Sequence, residues 1–263
     1  MANRTPNLNN VHPDLHSVVE IGYNFDFGKY FERGFKLLQS EASNIFILSG
    51  IIWALSFAVQ LIFSDFTESV QAAQASRDFA LLMELYQAEG YSYSLIMSAV
   101  GLLQLPLQAG FYVYLKKVTF GEERGVNDLF GGFNYFGSLF GMNILMIILM
   151  VLSMITLFIG GIYLIIAWSF ATMVIVLHNG GVWESMETSR KIIHPKWFHF
   201  FALSLTLVLM SILVSLIPYQ LGMLFSLPFI YCVIYAAFED IVYIQHENGY
   251  DSRLDEIGRD EEF

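Results

Sequence analysis

Apolar positions in this chain come in long unbroken runs. They show neither the alternation of a half-buried strand nor the narrow stripe of a soluble helix. Six runs stand out, at 45–64, 93–115, 138–158, 160–178, 198–217 and 219–238, and none contains Asp, Glu, Lys or Arg. A helix needs about 20 apolar residues to cross roughly 30 Å of hydrocarbon. The stretch from Ser138 to His178 is too long for one crossing, so Gly160 and Gly161 divide it into two helices joined by a tight turn. Pro218 divides the stretch from Phe198 to Ala237 in the same way. The pattern predicts an all-α, polytopic membrane protein of six transmembrane helices.

The polar segments between the runs set the expected topology. With the N-terminus in the cytoplasm, Arg77 is the one basic residue of 13 that falls outside. Such a bias predicts both termini inside. The chain then divides into a polar N-terminal segment (1–24), a transmembrane domain (25–241) and an acidic tail (242–263) expected to be disordered. The segment 65–90 is the one sizeable external connection. Ala72, Ala75, Phe79, Leu82, Met83 and Tyr86 recur in it every three or four positions, which predicts a helix lying against the membrane or the bundle.

Three cytoplasmic segments precede runs one, three and five, and each predicts a short interfacial helix. The first presents Phe27, Tyr30, Phe31 and Phe35 against Lys29, Arg33 and Lys36. The second carries Phe130 and Phe133, and the third sets Trp183 and Met186 against Glu184, Glu187, Arg190 and Lys191. Gly34 stands eleven residues before Ile45, and Gly132 eleven before Asn143. The chain reads as three units of interfacial helix plus transmembrane hairpin, although any loop at a bilayer surface tends to be amphipathic.

Composition narrows the function. Only 14% of residues are charged, where about 25% is usual for soluble domains. A net charge of −11 excludes nucleic acid as an expected partner, since phosphate recognition needs basic patches. The single cysteine, Cys232, permits no internal disulfide and reads as an apolar packing residue.

Candidate chemistry is sparse. The six histidines are too few and too scattered for the clustered boxes of a membrane di-iron enzyme. His178, His194 and His199 share one predicted end of the bundle, where three imidazoles could hold zinc, but solvated helix ends explain them equally. No G-x-S-x-G elbow occurs, and no run carries an acidic partner for a serine. Asp128, Glu184, Glu187, Glu239 and Asp240 sit at the predicted cytoplasmic boundary and read as caps or solvated charges. Ion-coupled carriers use ionisable groups within the bilayer, and the runs have none. No metal, no cofactor and no catalytic residue are expected.

What remains is a polar stripe on the second run: Ser94, Ser98, Gly101, Gln104, Gln108 and Tyr112. Spacings of three and four place all six on one helical face. Such a stripe either lines a cavity or packs helix against helix. Pro106 lies among them and frees a backbone carbonyl one turn earlier.

Several segments resemble an uncharacterised bacterial membrane family, the one related to the membrane domain attached to some glycerophosphodiester phosphodiesterases. They are FDFGKYFERGFKLL, LPLQAGFY, GIYLIIAWSFATMVIV, GVWESMETSRKIIHPKWF and AAFEDI, and the resemblance spans about residues 25–241. It implies a six-span bundle in the bacterial cytoplasmic (inner) membrane. It implies no reaction, because the phosphodiesterase activity of such fusions belongs to a separate soluble domain. The expected function is non-enzymatic: binding or organising membrane lipid, or a cytoplasmic or membrane protein partner, through the interfacial helices and the tail. Charge reversal at Lys29, Arg33 and Lys36 is expected to weaken binding to anionic vesicles. The alternative is a transporter or facilitator for a lipid or small uncharged polar molecule, using the stripe.

Overall fold

A computed structural model of the protein describes residues 22–155, 159–216 and 221–245, together with Leu15, Val18 and Val19. All regular structure among these residues is helical. The helices are α1 (Phe27–Ser40), α2 (Ala42–Ile62), α3 (Ser64–Ser76), α4 (Phe79–Leu85), α5 (Tyr91–Phe120), α6 (Phe136–Ile155), α7 (Ile159–Ala167), α8 (Ala171–His178), α9 (Val182–Ile193), α10 (Trp197–Ser215) and α11 (Met223–Glu239). Turns of 3-10 helix at Val126–Tyr135 and His194–Lys196 lead into α6 and α10, and one π turn each precedes α5 and follows α11.

Among the described residues, six helical stretches are long and apolar enough to cross a membrane. They are spans one (Ala42–Ile62), two (Phe79–Phe120), three (Val126–Ser153), four (Gly160–His178), five (Val182–Ser215) and six (Met223–Ile244). All six expected crossings are present, and the differences lie at their ends. Span two begins at Phe79 rather than near Tyr93, because a π turn at Tyr86–Gly90 joins α4 to α5 without a break. Spans three and five begin earlier because their leading segments join them as one helical path. Span six starts at Met223, four residues later than expected. Span four opens at Gly160 as expected, but Gly160 and Gly161 lie in the first turn of α7 rather than in a turn between helices. Residues 156–158 and Pro218 lie outside the described residues, as do most of 1–24 and the tail beyond Gln245.

The spans alternate in direction. At one end, Tyr114 (end of span two) donates to Glu41, just before span one, and Tyr135 donates to Asn179, just after span four, at 2.9 Å. At the same end the hydroxyls of Tyr235 and Tyr243 in span six bond Thr119 of span two and His178 of span four. At the far end, Phe63 packs edge-on against Tyr93, joining spans one and two. Most of the described charged residues gather at the first end, called the charged end below.

Spans four and six form the centre of the bundle. Of their most apolar stretches 61% and 67% of residues are buried, against 28%, 17% and 17% for spans one, three and five. The outer spans expose Ile147, Val151, Leu209 and Leu213, as expected of surfaces that face lipid.

The external segment differs from expectation. It forms two helices, α3 and α4, separated at Arg77, whose φ of 57° ends α3 in the left-handed region. The residues buried there are Phe66, Val70 and Ala73. Ala72, Ala75, Phe79, Met83 and Tyr86 are exposed. The buried face lies one position away from the expected one, because Phe66 anchors it through contacts with Tyr86 and Tyr93.

Candidate functional site

The three leading segments all pack against spans, and each uses an even-numbered one. The 126–135 segment lies on α5, where Gly132 meets the carbonyl of Pro106 and the amide of Gly110 so closely that no Cβ fits at either glycine. In α9, Ser189 accepts from the amide of Phe170 at 3.1 Å and donates to the carbonyl of Ala167 at 2.7 Å. That hydroxyl satisfies backbone groups left open where span four distorts between α7 and α8. Helix α1 lies on α11, where Gly34 allows the approach: a Cβ there would stand 2.7 Å from Val233 Cγ2. The first two segments follow their span in sequence. The third joins residues 206 apart and closes the circle.

The predicted interfacial residues therefore divide. Tyr30 and Met186 are buried in the bundle. Phe27, Phe35, Phe130, Phe133 and Trp183 are exposed, and Phe31 is half-buried, stacked on Phe27 and tilted against Phe229. Helix α1 has three faces. Tyr30, Gly34 and Leu37 meet the bundle, and Phe27, Phe31 and Phe35 form an aromatic flank. The third carries Lys29, Glu32, Arg33 and Lys36.

Glu239 and Asp240 are not solvated caps. Both are 2% exposed. Arg33 grips Glu239 with two hydrogen bonds, Nε to Oε2 at 3.0 Å and Nη2 to Oε1 at 2.6 Å. Lys29 pairs with Asp240, which also accepts from Gln245. The Glu239 hydrogen bonds raise the Arg33 pKa despite burial. Burial raises the Tyr30 hydroxyl, helped by the nearby Asp240 charge. A second lock binds Glu41 to Arg124 at 2.6 Å and to the hydroxyl of Tyr114. Burial pushes the Glu41 carboxyl up, but the Arg124 and Tyr114 hydrogen bonds outweigh it and the pKa falls. A small crevice of about 230 Å³ lies between α1 and α11 over these pairs. Its three basic residues face three acids, so it offers no net charge.

The larger feature is a cleft of about 650 Å³ between spans two, three, four and six. Span two contributes Gln108 and Tyr112, span three Met146, Met150 and Ser153, span four Ile165, Trp168, Ser169 and Thr172, and span six Ile234. Its rim residues Ile147, Val151, Ile162 and Ile165 are exposed, so the cleft opens sideways rather than along the bundle axis. The Gln108 amide donates to the Tyr112 hydroxyl at 3.3 Å. An apolar wall with a few convergent polar groups is the usual make-up of a small-molecule site.

The polar stripe thus divides. Gln108 and Tyr112 line the cleft, whereas Ser94, Ser98 and Gly101 are exposed on the farther part of span two and Gln104 is half-buried outside it. Ser98 donates to its own helix, at the carbonyl of Ser94. The stripe crosses from bundle surface to bundle interior because span two begins a turn and more beyond its packed part.

The three histidines do not converge. His178 bonds Tyr243, His194 bonds Tyr163 at 2.8 Å, and His199 packs on Phe25. Among the described residues no group of three His, Cys, Asp or Glu side chains is placed to hold a metal ion. No family model, curated protein or solved structure matches this chain.

Proposed function

We propose that this is a non-enzymatic membrane protein that binds a membrane lipid, taking an acyl chain sideways from the bilayer into the cleft between spans two, three, four and six. The observation that carries this reading is the lateral opening of an apolar cleft of about 650 Å³ between exposed isoleucines and valine. A soluble substrate would meet lipid at that mouth, whereas an acyl chain enters without leaving hydrocarbon. Gln108, Tyr112, Ser169 and Thr172 supply polar contacts to the part of the lipid nearest its headgroup. The family resemblance and the bias of basic residues support placing the charged end in the cytoplasm of a bacterium.

The interfacial segments serve a different purpose in this reading from vesicle capture. Lys29 and Arg33 are committed to Asp240 and Glu239, so reversing their charge undoes the docking of α1 before it alters any lipid contact.

Native mass spectra of the intact protein released from a mild detergent test the proposal. The wild type is expected to carry a discrete lipid mass. Ile165→Trp with Ser169→Phe, which fill the cleft, are expected to lose it. Leu209→Trp, on the outer face of span five, is expected to keep it. Equal retention by all three proteins would contradict the proposal.

A further inference from the structure

The charged end of the cleft carries one cation whose position differs from the others. Lys116 follows Tyr112 by one helical turn and Gln108 by two, so all three share a face of α5. Its ammonium reaches across to span four, where it donates to the carbonyl of Leu177 at 3.4 Å. Leu177 lies five residues beyond Thr172, the cleft residue nearest the charged end on that span. At 1.5 Å rise per residue the ammonium stands roughly 7 Å above that wall, between the two helices.

Lys116 is half-buried, and among the described residues no carboxylate stands within ion-pair distance of it; the charge of Glu122 acts on it only from farther away. By contrast Lys29, Arg33, Lys117 and Arg124 each face an acid. One long bond to a carbonyl and a ring contact with Phe120 at 6.0 Å leave donors of the ammonium unused. A partly desolvated cation is costly unless an anion meets it. The anion that adjoins an acyl chain at this depth is a lipid phosphate, and basic sites between membrane helices favour anionic headgroups.

We propose that Lys116 binds the headgroup of an anionic glycerophospholipid whose acyl chain fills the lateral cleft. This rests on the lipid-binding reading and adds to it the class of lipid. Lysine suits the role as a point charge for phosphate.

The test uses the full-length protein reconstituted in an equimolar mixture of phosphatidylglycerol and phosphatidylcholine, extracted into mild detergent and examined by native mass spectrometry. Wild type is expected to retain phosphatidylglycerol in about fivefold preference, the worth of one basic residue near anionic headgroups. Lys116→Gln is expected to retain as much lipid in total but with the preference gone. Lys116→Arg is expected to restore it, and Lys196→Gln, an equal loss of charge elsewhere, to leave it intact. Persistence of the preference in Lys116→Gln, or wild type retaining both lipids equally, overturns the Lys116 site while leaving lipid binding standing. Wild type retaining no lipid overturns both. A wild-type ratio of one overturns the Lys116 site whether or not any variant folds, and Lys116→Arg shows whether a loss in Lys116→Gln comes from the charge.

Discussion

Two serines on one helix show how differently the same side chain contributes. Ser189 bonds both the carbonyl of Ala167 and the amide of Phe170, so its hydroxyl repairs the backbone where span four distorts. Removing it strands two buried polar groups, at a cost of about 1–3 kcal/mol. Ser185, one turn earlier, is fully buried, and its hydroxyl has no partner among the described atoms. Ser189→Ala is therefore expected to lower the melting temperature in detergent, and Ser185→Ala to leave it unchanged or raise it. Equal losses from the two substitutions would mean that Ser189 acts by shape alone. Neither serine was legible as a packing residue. A hydrophobic periodicity marks Val182, Met186 and Ile193 but passes over a buried face made of Ser185, Thr188 and Ser189. The signal was present as small residues at helical spacing.

At the scale of elements, the spans were legible and their dockings were only half so. About 20 apolar residues without a charge leave little choice but a membrane helix. The face of α1 was visible only in part: Tyr30 is buried as its periodicity suggests, but Gly34 and Leu37 complete the buried face, and Phe27 and Phe35 are exposed. The acids that lock this helix were not visible, because Glu239 and Asp240 come 206 and 211 residues after their partners. An acidic pair at a helix end reads as solvated until the fold brings a base to it. Gly132 and Gly110 were likewise visible only as glycines; that each admits the other's backbone is a tertiary fact. Arg33→Met leaves Glu239 buried without its partner. Breaking a buried pair costs about 3–5 kcal/mol, and partial solvation of the Arg33 head brings the expected loss to the lower end or below. Pairing Arg33→Met with Glu239→Leu is expected to recover most of the lost melting temperature. A double variant no more stable than the single would show that the pair does not hold α1 in place.

The whole molecule is a set of three hairpins whose leading segments each lean on an even-numbered span, with α1 on span six closing the circle. This arrangement agrees with the threefold pattern in the sequence and puts the best-buried spans, four and six, at the centre. It leaves span three less covered than its neighbours, with 17% of its most apolar stretch buried, and the lateral cleft opens there. Two of the six residues in the sequence's polar stripe, Gln108 and Tyr112, belong to that cleft. The other four lie outside it, since spacing along a helix gives a face but not where along the helix that face ceases to be covered.

The central claim is that this cleft takes a lipid chain from the side. A phospholipid carrying a photoreactive group midway along its acyl chain, reconstituted with the protein and cross-linked by light, tests it directly. Peptide mapping is predicted to find the adducts concentrated on Met146, Met150, Ile165 and Trp168, and sparse on Leu209, Ile212 and Leu213, which are apolar and exposed on span five. Adducts spread evenly over every exposed apolar position would contradict the account, because the cleft would then be no more than one more stretch of lipid-facing surface.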